Sequence, residues 1–214
     1  MDFRVIWRAF VLVLLGLPAA PAAAQDPPPP IGPFVIDVRG AVPRFKPDAQ
    51  LAESRGLALG ELPGSGLGVD AGAHLYVFRW KEVTVGLGAQ VTLARSHGSP
   101  PEASGLRPVT ERFASFTPQL SLNFGNGNGW SYLSGGIGPS SWTIVPDGSQ
   151  ESAADRARLR TINYGGGARW FAKRHVAFTV DVRFHQIDAG PPLAGRAGSP
   201  RTLFIVIGAG ASIK

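Results

Sequence analysis

The sequence predicts an all-β fold: an eight-stranded antiparallel up-and-down transmembrane β-barrel preceded by a signal peptide. Three observations support this prediction. Eight segments alternate apolar and polar side chains, most of them over about 9–13 residues, whereas soluble strands average about five to six. Long and short connections alternate between these segments. The 28 glycines and 19 prolines favour turns and close strand packing over helices.

The first element is a targeting segment. Two arginines precede the nine-residue apolar run AFVLVLLGL, and Ala22–Ala24 provide a cleavage site. Nine residues cannot cross about 30 Å of hydrocarbon, so residues 1–24 are expected to be a secretory signal peptide. Residues 25–33, QDPPPPIGP, then form a stiff Pro-rich lead-in. Residues 34–214 are expected to form the barrel domain.

Charge and cysteine content limit the possible functions. Removing Asp2, Arg4 and Arg8 from the 15 acidic and 21 basic residues leaves 14 and 19, a net charge of about +5. An exported chain rarely meets nucleic acid, so no nucleic-acid partner is expected. The sequence contains no cysteine, which excludes a disulfide framework and a lipoprotein anchor.

The first four alternating segments each have one apolar and one polar face, because a strand directs successive side chains to opposite sides. In the first segment Asp37 and Arg39 share the polar face, and in the second Asp70 and His74 do so. The third and fourth set serine, threonine, glutamine and asparagine against valine, leucine and phenylalanine. These segments are Phe34–Val42, Leu67–Phe78, Val83–Ala94 and Arg112–Phe124.

The last four segments continue the alternation. Glycines and Pro139 blur the first of them, so its facing stays open. The second carries Arg169 on its polar face, and the third, HVAFTVDVRFHQI, carries Asp181, Arg183 and His185 opposite valine and phenylalanine. The last alternates large apolar residues with glycine and serine, with two apolar exceptions. These segments are Trp130–Ile144, Leu159–Trp170, His175–Ile187 and Thr202–Ile213.

The connections sort by length. RWKE, GNGNG and AKRH are short, and the other four connections, which alternate with them, are long. Membrane barrels have short turns on one side and long loops on the other. Several aromatic residues flank the short connections and predict a lipid-facing girdle at that interface. They are Trp80, Phe124, Trp130, Trp170 and Phe171. A sparser girdle at the opposite interface is predicted from Phe45, Phe113, Trp142 and Phe184.

The polar face is expected to line a narrow lumen. A lipid-facing arginine at the bilayer midplane costs about 2–4 kcal/mol, and the apolar face has no charged residue between its ends. Three acids and three bases on the opposite face predict paired inward side chains, not an ion-selective pore. Two histidines there favour hydrogen bonding within the lumen over an acid–base or metal site. The set is Asp37, Arg39, Asp70, His74, Arg169, Asp181, Arg183 and His185.

These features resemble the small outer-membrane β-barrel proteins of the OmpA and OmpX type. The resemblance covers the chain beyond the signal peptide and includes the stretches NYGGGARWFAKRHVAFTVDVRF and FIVIGAGASIK. It implies a bacterial outer membrane, insertion by the outer-membrane assembly machinery, and contact with outer-membrane lipid and lipopolysaccharide. A monomer without cofactor or metal is expected.

A non-enzymatic structural or surface-interaction role through the outer loops is the expected function. Within the loop sequence DRARLR, Arg156, Arg158 and Arg160 are the candidates for contact with an anionic partner. Two alternatives stay open. An outer-membrane lipid-modifying enzyme would need Ser99 to act as a nucleophile activated by His97. A soluble periplasmic barrel binding a small apolar ligand would invert the facing and put the charges in water.

Overall fold

The computed structural model describes residues 28–192 and 195–214. Within them eight strands form one closed antiparallel barrel in sequence order, with the first strand paired to the last. This confirms the predicted fold class, while the predicted signal peptide lies outside the described residues. The strands are β1 Phe34–Arg44, β2 Leu67–Trp80, β3 Val83–Gly98, β4 Val109–Asn126, β5 Gly129–Pro146, β6 Arg158–Phe171, β7 Val176–Ile187 and β8 Thr202–Ile213.

The helical elements are short and lie in the long loops. Helix α1, Ala49–Arg55, follows β1, and 3-10 turns occupy Leu59–Glu61 and Glu102–Ser104. Asp48 caps α1 by accepting a hydrogen bond from the Leu51 N–H at 3.0 Å. Among residues 28–192 and 195–214, no helix is long and apolar enough to cross a membrane.

Strands β4 and β5 are 18 residues long, which exceeds the sequence prediction. At about 3.3 Å per residue and a tilt of about 40°, such a strand rises roughly 45 Å, more than the hydrocarbon thickness of about 30 Å. The additional residues at the long-loop end keep alternating inward and outward, with Val109 and Ile144 buried inside. The barrel wall therefore continues past the membrane on that side.

The burial pattern of β5 settles its facing, which the sequence left open, and close packing against β4 explains the glycines that obscured it. A Cβ on Gly136 would lie 1.7 Å from the Pro118 carbonyl oxygen, and one on Gly138 would lie 1.9 Å from that of Phe116. Glycine is thus required where β4 and β5 approach each other. Even-numbered residues such as Tyr132 and Trp142 point inward, and odd-numbered ones such as Leu133 point outward.

The outer wall is a broad apolar band. A soluble protein rarely exposes so many large apolar side chains together, whereas a lipid-embedded wall requires them. Asp181 and Arg183 are 3% and 1% exposed, while the intervening Val182 is exposed at 42%. The soluble alternative, with these charges in water, is therefore wrong. Outward residues include Ile36, Leu75, Leu87, Leu120, Leu133, Phe178 and Ile207.

The interior consists of three layers. The short-turn end holds an apolar inner-end cluster of Ile31, Val35 and Trp130, with Tyr76 and Phe171 packed against it. The middle layer is charged. The long-loop end holds a larger apolar group, the outer cluster, to which α1 contributes from above. The outer cluster comprises Ala41, Phe45, Leu51, Ala52, Leu57, Leu62, Ala94, Val109, Phe113, Trp142, Ile144, Leu159, Ile187, Phe204 and Val206.

Several aromatic predictions need correction. Trp130 is only 3% exposed and stacks inside the barrel on Phe171, with ring centroids 4.9 Å apart, so its assignment to a lipid-facing girdle is wrong. It occupies an inward position of β5, the strand whose facing the sequence left open. Phe171 packs against the same inner-end cluster, so its assignment to the girdle is wrong as well, and the outward rings at this end belong to Trp80, Phe124 and Trp170.

At the opposite interface the sparser girdle is also largely wrong. Phe45, Phe113 and Trp142 are 5%, 2% and 1% exposed and belong to the outer cluster, because the strands keep an apolar inward face above the charged layer. Of the four candidates, Phe184 lies on the outer wall, where it stacks on Tyr164 at 5.3 Å.

Candidate functional site

The charged middle layer is the most developed polar site in the described residues. Its first unit joins β6 to β1: Arg169 Nε donates to Asp37 Oδ1 at 2.8 Å, and Arg169 Nη2 donates to Oδ2 at 2.6 Å. The hydroxyl of Ser212, from β8, donates to the same carboxylate at 2.6 Å. These strands bring together three residues far apart in sequence, and a bidentate Arg–carboxylate pair is among the stronger polar contacts in proteins.

The second unit joins β1, β2 and β3. Arg39 Nη2 donates to Asp70 Oδ1 at 2.6 Å, and Arg39 Nη1 lies 3.5 Å from Asp37 Oδ2. Asp70 Oδ2 also accepts hydrogen bonds from Thr92, at 2.9 Å, and from Gln90. Arg39 therefore connects two aspartates across neighbouring strands, and the remaining carboxylate oxygen is satisfied by neutral donors.

The third unit is built on Asp181 and connects to the others through Tyr132. Arg183 Nε donates to Asp181 Oδ1 at 2.8 Å, and the Tyr132 hydroxyl donates to Oδ2. The same hydroxyl accepts from Arg39 Nη1 at 3.1 Å, and the Arg169 guanidinium lies 3.9 Å from the Tyr132 ring centroid. We call the three acids, the three bases and Tyr132 the lumen network.

The structure thus places all six predicted charged residues in one layer, each aspartate paired with an arginine. Tyr132 was missed by the sequence analysis, because glycines and a proline obscure the facing of β5. The available signal was register: Tyr132 pairs with Gly167 across the β5–β6 ladder. That inward glycine leaves space inside the wall for the ring, because a Cβ there would lie 2.8 Å from the Tyr132 hydroxyl oxygen.

The two predicted lumen histidines border this network but make no hydrogen bond with any described residue, so the expected hydrogen bonding is wrong. His74 is inward on β2, where its cross-strand partner is Val35 of the inner-end cluster. His185 is fully buried near the outer cluster, stacked on Phe204 with centroids 5.1 Å apart and edge-on to Phe113 at 5.3 Å. Across the described parts of the chain, no three His, Cys, Asp or Glu side chains form a group that could hold a metal ion.

The long loops close the outer end of the barrel. Leu51 and Ala52 of α1 insert into the outer cluster, and Arg55 Nε donates to Asp155 Oδ1 at 2.9 Å. Asp155 also accepts from the Ile144 N–H at 2.9 Å. The acidic residue of DRARLR is therefore buried and ties the β5–β6 loop to both α1 and the barrel wall.

A second tie joins the β1–β2 loop to the β3–β4 loop. Arg107 Nε and Nη2 donate to the Glu61 carboxylate at 2.9 and 3.1 Å, and the Arg107 N–H donates to it at 2.9 Å. The side-chain hydrogen bond from Arg107 lowers the pKa of Glu61 from 4.5 to about 2. The loops therefore form one connected cap.

Of the three arginines predicted in the β5–β6 loop, Arg156 lies in it, whereas Arg158 and Arg160 belong to strand β6, so the assignment of these two to the loop is wrong. Arg156 and Arg158 are exposed, whereas Arg160 Nε donates to Asp188 Oδ2 at 2.8 Å. Asp188 also lies 3.5 Å from Arg201 Nη2. Asp188, which follows Arg160 by 28 residues in the chain, thus neutralises part of the positive charge of DRARLR. The sequence near DRARLR gave no sign of this pairing.

The predicted His–Ser pair is not formed as expected. His97 Nδ1 lies 3.2 Å from Thr110 Oγ1, and His97 Nε2 lies 3.9 Å from Asp147 Oδ2. The Thr110 hydroxyl also contacts Asp147 Oδ1 at 3.1 Å. The hydroxyl beside His97 is therefore that of Thr110, its cross-strand partner, and not that of Ser99.

Comparison with known proteins shows similarity of fold at low sequence identity. Neisserial surface protein A matches with a TM-score of 0.55 and 13% identity, over 85% of this chain and 96% of that one. Ail, the attachment invasion locus protein of Yersinia pestis, matches with a TM-score of 0.52 and 13% identity, over 86% and 98%. No family model and no curated protein matches. The fold is thus that of small eight-stranded outer-membrane barrels, as predicted.

Proposed function

We propose that this protein is a non-enzymatic bacterial outer-membrane barrel whose lumen is closed to solutes and whose outer loops act at the cell surface. The observation that carries the proposal is the lumen network, in which three arginines and three aspartates pair across the interior at 4% exposure or less. Charged side chains that are buried and paired with one another stabilise the barrel and do not line a pore, because a conducting pore needs charged or polar groups that face water.

Geometry supports closure at three levels. An eight-stranded barrel has an interior just wide enough for side chains to fill it. Here the inner-end cluster, the lumen network and the outer cluster succeed one another along the axis. A solute would have to displace paired ions in the middle layer, and separating a buried pair costs about 3–5 kcal/mol.

The outer cap supports a role in surface recognition. Arg55–Asp155 and Arg107–Glu61 hold three loops together before any partner binds. Pre-ordered loops lose less conformational entropy on binding, which favours affinity. Ail, similar in fold, has been crystallised in complex with the heparin analogue sucrose octasulfate. For this chain we likewise propose binding of an external partner at the cap.

Conductance across a planar lipid bilayer tests closure. The full-length protein, refolded and inserted, is expected to leave the bilayer at its baseline conductance. A variant with Asp37→Ala, Arg39→Ala and Arg169→Ala, which removes three of the six charged side chains of the middle layer, should show more current if it inserts as a heat-modifiable barrel. Stepwise channel openings by the unaltered protein would contradict the proposal.

The surface role is tested separately on immobilised heparin with protein in nanodiscs. The unaltered protein should be retained more strongly than a variant carrying Arg156→Gln and Arg196→Gln, two exposed arginines of the long loops. A matched control changes Lys173 and Arg174 at the short-turn end to glutamine. Equal retention of all three proteins would remove the proposed role of the cap in binding such a polyanion.

A second candidate function is suggested by one observation. Thr110, His97 and Asp147 are in mutual contact, and a cavity of about 210 Å³ beside them is lined by Thr110, Asp147 and Arg112. A hydroxyl, a base and an orienting carboxylate are the components of an acyl hydrolase. If the protein hydrolyses lipid esters, Thr110→Val and His97→Ala must each abolish release of fatty acid from phospholipid vesicles. Release at the blank rate by the unaltered protein rejects this candidate.

A further inference from the structure

Two arginines stand side by side on the outer wall at the long-loop end. Arg95 of β3 and Arg112 of β4 are direct cross-strand partners, and both are exposed. Like charges directly opposite one another in a sheet are destabilising. None of the ion pairs within residues 28–192 and 195–214 includes either arginine. The wall therefore carries two adjacent guanidinium groups without an ion pair, while Asp147 and Glu151 line a hollow beside Arg112 without pairing with it, and an external anion would stabilise the two arginines.

A third arginine belongs to the same surface. The register runs from Leu93 on β3 through Ala114 on β4 and Ser141 on β5 to Arg158 on β6. Because neighbouring strands are about 4.8 Å apart, the Cα atom of Arg158 lies roughly 10 Å from the Cα atom of Ala114 along this row. Arg158 is also exposed and has no acid within ion-pair distance among the described residues.

An apolar groove lies directly beside the paired arginines. It has a volume of about 440 Å³, and Leu67, Val69, Leu93 and Ala114 are among its lining residues. A second hollow of about 360 Å³ continues toward Arg158 and includes Phe116 and Pro139. The small side chains at Ala114 and Ser141 leave this part of the wall recessed between larger neighbours.

The next outward residue of β6 provides a contrast. Arg160 and Arg201 lie on either side of Asp188, which neutralises part of their charge. Arg95, Arg112 and Arg158, by comparison, have no ion-pair partner among the described residues and stand above the apolar recess. The arginines and the recess together suit an amphiphilic ligand. A planar guanidinium group binds phosphate oxygens in a bidentate manner, and the apolar recess accepts a hydrocarbon chain.

We propose that Arg95, Arg112 and Arg158, with the groove beside them, bind a phosphate-bearing glycolipid of the outer leaflet. The phosphates lie against the guanidinium groups, and one acyl chain lies along Leu93 and Ala114. This inference rests on the proposed membrane location and names the partner of the outer wall. It adds an anion-binding surface on the barrel wall to the one proposed at the outer loops, and Arg158 of the predicted stretch belongs to this wall.

Lipid binding to the full chain in detergent micelles, measured by native mass spectrometry, tests the proposal. The probes are bisphosphorylated lipid A, the same lipid after enzymatic dephosphorylation, and inorganic phosphate. Each arginine near a charged surface contributes about fivefold in binding, so Arg95→Gln, Arg112→Gln and Arg158→Gln together should weaken lipid A binding about 100-fold. The matched control, Arg160→Gln with Arg201→Gln, should bind lipid A nearly as the unaltered protein does.

Further outcomes decide the assignment. Dephosphorylated lipid A should bind the unaltered protein about as weakly as lipid A binds the triple variant. Ala114→Phe should weaken the binding of lipid A, because it fills the groove, without altering the binding of inorganic phosphate. Equal lipid A binding by the triple variant and the control, or full competition by inorganic phosphate, overturns the proposal. Membrane fractionation of the same proteins separates this failure from that of the proposed function: a barrel found in the membrane but indifferent to lipid A overturns only the glycolipid site.

Discussion

Removing the charge of Asp37 is expected to destabilise the barrel strongly. Asp37 accepts two hydrogen bonds from Arg169 and one from Ser212, and it lies 3.5 Å from Arg39. Asp37→Asn keeps the shape of the side chain but leaves three buried bases with two acids. Breaking a buried ion pair from one side costs about 3–5 kcal/mol, so the unfolding equilibrium should shift about 1000-fold.

The measurement is equilibrium unfolding in urea with the protein in lipid vesicles, followed by tryptophan fluorescence and by the heat-modifiable gel shift. Asp188→Asn is the matched control, because Asp188 pairs with Arg160, whose side chain is 64% exposed. Such a surface pair contributes at most about 1 kcal/mol.

Replacing both partners should recover much of the loss. Asp37→Leu with Arg169→Met exchanges the buried pair for apolar side chains, which is often neutral in free energy. A loss below about 1 kcal/mol for Asp37→Asn alone would refute the reasoning, since it would mean that water reaches the middle layer and solvates Arg169.

Three further predictions concern packing, pH and a buried hydrogen bond. Gly136→Ala should sharply reduce the yield of heat-modifiable barrel, because its Cβ would lie 1.7 Å from a carbonyl oxygen of β4, whereas Gly40→Ala has 3.9 Å of clearance. The pKa of Glu61 is lowered from 4.5 to about 2, so the loop stabilisation is present above pH 4.5 and is lost as the pH falls through about 2. Pepsin cleavage of loop 45–66 should therefore rise toward pH 2, and Glu61→Gln should flatten this dependence. Trp142→Phe removes the 2.7 Å hydrogen bond to Glu111 and should cost about 1–3 kcal/mol in urea unfolding.

Each of these predictions has a definite contrary result. Equal folding yields for the two glycine variants would mean that β4 and β5 are farther apart than described. Pepsin sensitivity that is independent of pH, or unchanged by Glu61→Gln, would show that the carboxylate does not hold the loop. A stability of Trp142→Phe equal to that of the unaltered protein would place Glu111 in contact with water.

The strand pattern could be predicted because the two faces of most strands differ in polarity. The stretch HVAFTVDVRFHQI assigns Val182 outward and Arg183 inward from alternation alone, and the register with β6 and β8 agrees with that assignment. The same rule failed at the long-loop end, where the inward face is apolar and outward residues such as Arg112 and Ser141 are polar. Phe113 and Trp142 face an apolar outer cluster inside the wall, and alternation cannot tell such a face from a lipid-facing one.

The partners within the site could not be predicted because they depend on the barrel's register and closure. Asp37 and Arg169 are 132 residues apart and meet across the lumen. Sequence composition indicates only that the charges cancel. The same limit applies to Thr110, which comes to His97 through the β3–β4 register, and to the pairing of Arg95 with Arg112.

The most direct test of the account is the depth and side of single tryptophans in the bilayer. Two proteins are compared, one retaining only Trp170, which is 53% exposed on the outer wall, and one retaining only Trp142, which is 1% exposed inside. In vesicles of brominated lipid, Trp170 fluorescence should be strongly quenched and Trp142 fluorescence should be nearly unaffected. Strong quenching of Trp142, or none of Trp170, would contradict the assignment of an apolar lipid-facing wall around a closed interior.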